Sequence, residues 1–483
     1  MDNFIDVINF CDLKDIGFVG PKFTWIYQKA DGTQIRERWD RVLATAEWLE
    51  LFPATKLYHQ STLASDHSML LLRMVAGSKR KRVKQSFKFE SMWLKKSNCE
   101  EVVWSTWEEG VIASSGWELN SCLKICRDRL EAWNKDVFGH VGRNISDLQR
   151  RLEWLESQPS NPELIQALKF ARAELNCWLE KEDTMWRQRA RLNWFQGGDR
   201  NTSFFHAKAS SRQRTNLIEG LMDADGVWQE DEGKIEEVVV EYYNNLFTSS
   251  SPSGFSELLQ AIQSKVTPSM NQMLLKPFTG EEVRLALKQM HPLKAPGPDG
   301  MPPLFFQHFW STSGEVVTNT VLNFLNFGIF PPNFNDTNIV LIPKVKEPKV
   351  VTHYRPISLC NVVYKMASKA IANRLKKILP SIISDTQSAF VHGRLITDNV
   401  IVTFETMHHI SQKKGGKRGE MALKLDMSKA YDRMEWTCLD KIMEKLGFVE
   451  HWRRLIMRCV STISYAININ GRPRGRIIPS RGI

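Results

Sequence analysis

No stretch of this sequence is long and apolar enough to cross a bilayer, and no membrane partner is expected. Cysteine is scarce and scattered: Cys11, Cys99, Cys122, Cys126, Cys177, Cys360, Cys438 and Cys459 include no CxxC pair. That spacing signals neither a disulfide framework nor a zinc module. Cys122 and Cys126, one helical turn apart, read as buried helix residues. The opening residues lack the order of a signal peptide, so the expectation is an intracellular protein of the nucleus or cytoplasm. Acidic residues are in deficit, 54 against 65 Lys and Arg, leaving a formal charge of +11 and a pI near 9.2. That excess suits a polyanionic partner, nucleic acid before membrane, although a charge that only keeps a protein soluble looks the same. Finally, no two aspartates are adjacent anywhere in the chain.

What is present comes in three parts. With 483 residues the chain can bury two or more cores. Residues 1–76 read as strands and turns: Phe23-Thr24-Trp25 is a β-rich triplet after Gly20-Pro21, and Asp31-Gly32 is a hairpin-type turn. Arg38, Asp40 and then Ser65-Asp66-His67 follow, the last ahead of the apolar run Met69–Leu72. Residues 77–275 are basic, helical and rich in tryptophan. They open on the run Ser78-Lys79-Arg80-Lys81-Arg82-Val83-Lys84, which serves equally as a nuclear-import or nucleic-acid patch and as a solvated linker. Leu123, Ile125, Leu130, Leu148, Leu152, Leu155, Leu164, Leu168, Leu175 and Leu179 recur among charges, with Trp104, Trp107, Trp117, Trp133, Trp154, Trp178, Trp186 and Trp194 interleaved. Most of these tryptophans are expected in the cores of long helices, with base stacking the alternative. Arg187, Arg189, Arg191, Arg212 and Arg214 surround Gly197-Gly198-Asp199 and His206 and make that stretch the better RNA-binding candidate of the linker. His206 reads as structural, because no second ligand stands at ligand spacing.

Residues 276–483 carry the densest patterning. Thr279 and Glu282 form a capping box for a helix that leads into Lys294-Ala295-Pro296-Gly297-Pro298-Asp299-Gly300, a loop whose prolines and glycines exclude regular structure. Asn338–Ile342 and the returning segment with Tyr354, Arg355 and Ile357 predict two strands bearing basic residues, Lys344 among them, towards one end. Such an end suits a triphosphate, although an exposed hairpin with solubilising charges reads alike. In the next helix Val363, Ala367, Ile371, Leu375 and Ile378 gather on one side and Lys365, Lys369 and Lys376 nearly opposite, a lysine stripe suited to a phosphate backbone or to water. Arg374 interrupts the apolar side. Met421, Leu423 and Leu425 alternate with Ala422, Lys424 and Asp426, the period of a strand ending on a carboxylate. Ser428-Lys429-Ala430-Tyr431-Asp432 then turns towards a helix through Leu446. Tyr465–Asn470 alternates as a strand, and Gly471-Arg472-Pro473-Arg474-Gly475 reads as a turn.

The run through Asp426, Tyr431 and Asp432 resembles motif A of the reverse transcriptases of non-LTR (LINE-type) retrotransposons. The likeness extends through Lys294–Gly300, Tyr354-Arg355-Pro356-Ile357-Ser358-Leu359 and Gln387–Asn399, in the family's order. The segment from Trp186 to His206 resembles the stretch between nuclease and polymerase in plant LINE-type proteins. The resemblance implies Asp426 as a magnesium ligand, Tyr431 as the residue sensing the sugar 2′ position, and Lys344 and Arg355 as contacts to the incoming dNTP. It also places Lys294 and Arg394 in template-side blocks, with an RNA template and a DNA primer as partners. Upstream, Phe23-Thr24-Trp25, Arg38 with Asp40, and Ser65-Asp66-His67 resemble the C-terminal part of an apurinic/apyrimidinic-type endonuclease. There His67 would stabilise charge on the phosphate, Asp40 would fix its tautomer and Asp66 would help position the metal or the attacking water.

The expected architecture is therefore multidomain α+β. It comprises the C-terminal piece of an endonuclease/exonuclease/phosphatase-type β-sandwich (1–76), a helical linker (77–275) and a truncated right-hand polymerase with fingers and the start of the palm (276–483). Nucleotidyl transfer by two Mg2+ ions needs several converging carboxylates. With no Asp-Asp pair, the expectation is a fragment, truncated at both ends, that neither nicks nor polymerises alone. The alternative is a catalytically dead nucleic-acid-binding remnant.

Overall fold

The computed structural model describes residues 7–8, 11, 13–18, 20–29, 34–45, 48, 55–60, 62, 65–74, 86–114, 116–159, 161–190, 205, 212, 215–345, 348–413, 415 and 420–483. The basic run at 78–84, the turn Asp31-Gly32, the stretch 191–200 with Trp194, His206, and Arg191 and Arg214 lie outside the described residues. By contacts the chain forms two units: 1–84 with 132–209, and 85–131 with 210–483.

In the first unit β1 (Leu13–Asp15) pairs with β4 (Leu43–Thr45), β2 (Trp25–Gln28) with β3 (Gln34–Glu37) and β5 (Lys56–Gln60) with β6 (Met69–Arg73), each antiparallel. Among the described residues these are three separate two-stranded ladders, and an isolated bridge between Trp25 and His67 ties β2 to the segment leading into β6. The middle of the chain is helical: α1 (Asn98–Ile112), α2 (Glu118–Val137), α3 (Val141–Ser157) and α4 (Pro162–Ala190). Val141, Ile145, Leu148, Leu152 and Leu155 are buried at alternating steps of four and three, which places them on one stripe of α3, packed on α4. The same geometry corrects the tryptophan expectation. Trp107 lies on the buried stripe of α1 and is 2% exposed, whereas Trp104 and Trp154 each sit one step off such a stripe and face solvent, as does Trp117.

The second unit is built on a four-stranded sheet in the order β10-β9-β11-β12. β9 (Asp336–Pro343) runs antiparallel to β10 (Tyr354–Cys360) and parallel to β11 (Ser464–Ile469), which turns back as β12 (Arg472–Ile477). Helix α5 (Glu232–Phe247) covers this sheet after a small hairpin of β7 (Leu221–Met222) and β8 (Trp228–Gln229). Asp231 caps α5 by accepting from Gly233 N and Lys234 N. Its Ile235, Val239, Tyr243 and Leu246 repeat at helical spacing and meet Ile339, Leu341, Tyr465, Ile467, Ile469 and Ile477 from alternate positions of the strands. Each such side chain stabilises the fold by about 1.5–3 kcal/mol.

Around the sheet lie α6 (Pro268–Leu274), α7 (Gly280–Lys288), α8 (Pro303–His308), α9 (Trp310–Leu322), α10 (Val362–Leu375), α11 (Ile396–Gln412), α12 (Trp436–Leu446) and α13 (Glu450–Ser461). The capping box of Thr279 and Glu282 starts α7 as the spacing predicts. Arg374, the misfit on the apolar side of α10, is buried for a reason. Its guanidinium binds both oxygens of Glu282 at 2.7 Å and the carbonyls of Leu274, Lys276 and Pro277, over the Phe278 ring at 3.5 Å.

Two expectations are corrected. The turn after β11 is Asn470-Gly471 alone, with φ of 50° and 90°, the pair of left-handed residues that a two-residue hairpin demands. Arg472 already belongs to β12, and Pro473 is tolerated because β12 is an edge strand. The strand expected at Met421–Asp426 does not form. Among the described residues no strand lies beside it, and Met421, Leu423 and Leu425 are 74–84% exposed. Alternation makes a strand possible, and only a ladder partner makes one stable.

Candidate functional site

The predicted residues fall into one group in each unit. In the first, Thr24 is fully buried, and its hydroxyl accepts the N–H groups of Trp39 and Asp40, both at 3.0 Å. This clamp sets Asp40 where its Oδ2 meets His67 Nδ1 at 2.9 Å. The bond to His67 draws the Asp40 carboxyl below its ordinary range. Asp66 Oδ2 accepts from Trp25 Nε1 at 2.8 Å, and that bond lowers its carboxyl in turn. Trp25 stacks on Trp39 at 4.6 Å, and Trp39 tilts over His67 at 6.4 Å. Asp40, Asp66 and His67 are thus gathered into one polar–aromatic cluster. A carboxylate on Nδ1 fixes the imidazole tautomer that leaves Nε2 for a ligand.

In the second unit the hairpin of β9 and β10 sets Arg355 opposite Ile342 and Tyr354 opposite Pro343, so Lys344 and Arg355 share one end of the sheet. Lys344 donates from Nζ to the Thr352 carbonyl at 3.1 Å, while Arg355 is exposed. The loop 294–300 closes over the start of α10. Asn361 Oδ1 accepts from Asp299 N at 3.3 Å, and Lys365 Nζ donates to the Ala295 carbonyl at 3.2 Å. A Cβ on Gly297 would stand 2.4 Å from Asn361 Oδ1, so glycine is required for that approach. Lys365 is therefore a strut of the loop as well as a charge, and burial lowers its amine. Burial also lowers the Lys369 amine, with Lys376 and Lys294 repelling it, which puts Lys294, Lys369 and Lys376 within one positive field. Arg394 is spent within its own loop, on the carbonyls of Pro380, Ile383, Ser384 and Gln387 and on the Asp385 carboxylate.

Asp299, which sequence reasoning left without a role, lies inside this loop. Its Oδ1 accepts from Met301 N at 3.0 Å, and its buried Oδ2 has no partner among the described residues. Burial pushes the carboxyl from 3.8 up to about 6, against the pull of the Met301 N–H and Lys365. A carboxyl raised on folding favours the folded state only when protonated. Its stability contribution is therefore present below pH 3.8 and is lost as pH rises through about 6. Asp299→Asn is expected to be more stable than wild type by roughly 1–3 kcal/mol at pH 8, with the difference closing by pH 4 in denaturant titrations. A difference independent of pH would refute this.

The motif around Asp426 is divided in two. Its second half is anchored: Trp436 Nε1 donates to the Gly482 carbonyl at 2.7 Å, and Glu435 binds Arg481 at 3.3 Å and the Ser249 hydroxyl. Lys429, with φ of 55°, sets its amine 4.3 Å from the Tyr242 ring centroid. Asp432 is half-buried, and burial raises its carboxyl against the pull of Lys429 and Lys344. The first half, with Asp426, is exposed. Among the described residues no group of three or more His, Cys, Asp and Glu side chains is placed to hold an ion. This donor set does not fit a two-ion site. Also among the described residues, no helix is long and apolar enough to cross a membrane.

Residues 342–482 match the family described as reverse transcriptase (RNA-dependent DNA polymerase). The chain is 26% identical over 481 residues to an uncharacterized 149 kDa protein of transposon TX1 from Xenopus laevis, covering 95% of this chain and 35% of that one. It is 27% identical over 191 residues to a probable RNA-directed DNA polymerase from transposon BS of Drosophila melanogaster, covering 39% and 20%. With the RNA-directed DNA polymerase from mobile element jockey of Drosophila funebris it shares 26% over 180 residues, covering 37% and 20%. The chain thus spans about a third or less of the length of these relatives.

Proposed function

We propose that this chain is part of the reverse transcriptase of a non-LTR retrotransposon and that it grips an RNA template and DNA primer without extending the primer by itself. The observation that carries the reading is the reverse-transcriptase match at 342–482, the span that holds the β9–β10 hairpin end, α10 and the Asp426 motif. Lys369, with Lys294 and Lys376 acting on it, then serves the nucleic-acid backbone, whose condensed counterions such amines release. Lys344 and Arg355 bind the triphosphate of the dNTP, and Tyr431 stands beside its sugar. Asp426 is the magnesium ligand that this chain contributes, and that no group of three or more His, Cys, Asp and Glu side chains converges among the described residues supports the reading that it does not polymerise alone. In the first unit, the Asp40–His67 pair and Asp66 belong to a phosphodiester-cutting domain of the endonuclease/exonuclease/phosphatase type.

The test is primer extension on a poly(A) template with magnesium, paired with binding of the same template–primer across a salt series. The expected result is tight binding at low salt that falls steeply as salt rises, with no extension from wild type or Asp426→Ala. Extension abolished by Asp426→Ala would show a complete catalytic site and overturn the second half of the proposal. Absence of salt-dependent binding would overturn the first.

A further inference from the structure

Phe390 breaks two rules at once. Its φ is +64°, in the left-handed region that bulky side chains avoid. Its ring is 82% exposed, although its neighbours Ser388 and Val391 are both buried. And the loop that holds it is tied down on both sides. Arg394 gathers the carbonyls of Pro380, Ile383, Ser384 and Gln387, and Ser388 Oγ donates to Asn399 Oδ1 at 2.9 Å. A loop free to relax would turn the ring inward and return the backbone to the ordinary region. This one is fixed so that the ring stays out. Strain that is maintained by its surroundings and displays a side chain to solvent points to a ligand.

What stands opposite the ring defines the ligand. Tyr431, itself 56% exposed, meets Phe390 edge-on, with centroids 6.2 Å apart and planes at 89°. Two exposed rings at right angles form a corner: a flat aromatic lying on one face abuts the edge of the other. Of the flat ligands in reach of a basic protein, a nucleotide has both a π-face to stack and a phosphate that the chain's formal charge of +11 attracts. We infer that Phe390 is a stacking platform for a nucleobase, completed by Tyr431 and held rigid by the Arg394-bound loop. The inference rests on the proposed nucleic-acid function and deepens it. The base comes from a bound strand or from a free nucleotide, and the two sources are separable.

The experiment uses the full chain and 2-aminopurine, whose fluorescence is quenched by stacking. One arm places it at the template base opposite the first nucleotide to be added. The other supplies it as the free 2-aminopurine deoxyribonucleoside triphosphate. Wild type and Phe390→Trp are expected to quench one of the two probes. Phe390→Leu keeps an apolar side chain without the π-face, and Phe390→Gly relieves the left-handed strain. Both are expected to lose the quench and to bind that probe roughly five- to a hundredfold more weakly. Phe390→Gly should nevertheless melt no lower than wild type, which separates lost binding from lost folding. Salt-dependent binding of template–primer by wild type, with quenching unchanged in Phe390→Leu and Phe390→Gly, would overturn this inference and leave the proposed function standing. Failure of wild type to bind either probe would bring both down.

Discussion

Arg374→Ala is expected to destabilise the second unit by about 3–5 kcal/mol, a large part of the stability of an ordinary domain. The residue is 5% exposed and its guanidinium donates to five oxygens on two separate pieces of chain, the Glu282 carboxylate at the start of α7 and the carbonyls of 274, 276 and 277. Truncation leaves those carbonyls without their donor and the carboxylate without its counter-charge, and each orphaned buried group costs more than the bond contributed. Arg374→Lys should recover little, because a point charge cannot fork across a carboxylate and reach three carbonyls.

The pH dependence identifies the partner. Burial works to raise the Glu282 carboxyl, but the bonds from Arg374 and Thr279 outweigh it, so the folded value lies below the ordinary 4.5. A depressed carboxyl contributes stability above its unfolded value, and that contribution is lost as pH falls through the folded one. Acid sensitivity in this window should therefore weaken in Arg374→Ala. The double change with Glu282→Gln should cost less than the sum of the two. Denaturant titrations at pH 3 and pH 7 measure both, and strict additivity would refute the coupling.

Gly300→Ala is expected to cost about 3 kcal/mol or more, an unusual amount for one methyl group. Gly300 has φ of +77°, and a Cβ there would stand 2.3 Å from the Phe87 carbonyl oxygen. The obstacle is backbone and cannot swing aside as a side-chain tip would. The same residue accepts from Phe89 N at 3.0 Å. Pushing residues 87–89 away would therefore pull Phe89 from Trp93, Phe305 and Phe309, which it meets at 5.1, 5.3 and 6.2 Å. The loop carrying Lys294 ends at this glycine, so template–primer binding should weaken together with the denaturation midpoint. A variant within about 0.5 kcal/mol of wild type would show that the backbone at Phe87 yields freely.

The sequence by itself determined the elements whose signals are local. A threonine three residues before a glutamate specified the start of α7, because a capping box needs no distant partner. A β-rich run and its return placed β9 and β10, alternation placed β11, and helical periodicity placed α3 and α10, because one-sided burial writes its period into the chain. The motif residues at 294–300, 354–359 and 426–432 were legible for a related reason: turns and charges of this kind are specified residue by residue.

Tertiary structure decided the rest. Met421–Asp426 has the pattern of a strand and is not one, because a ladder requires a neighbour that no local pattern encodes. Arg374 looked like a fault in an apolar face until the carbonyls of 274–277, about a hundred residues away in sequence, came to meet it. Lys365 and Arg394 read as charges for a phosphate, and the fold spends them on carbonyl groups of their own chain. Asp299 and Phe390 stood in legible motif blocks without a role of their own, since burial of one oxygen and display of one ring are properties of surroundings. Local preference chooses the element, whereas the environment of each charge and ring is set by what long-range packing brings beside it.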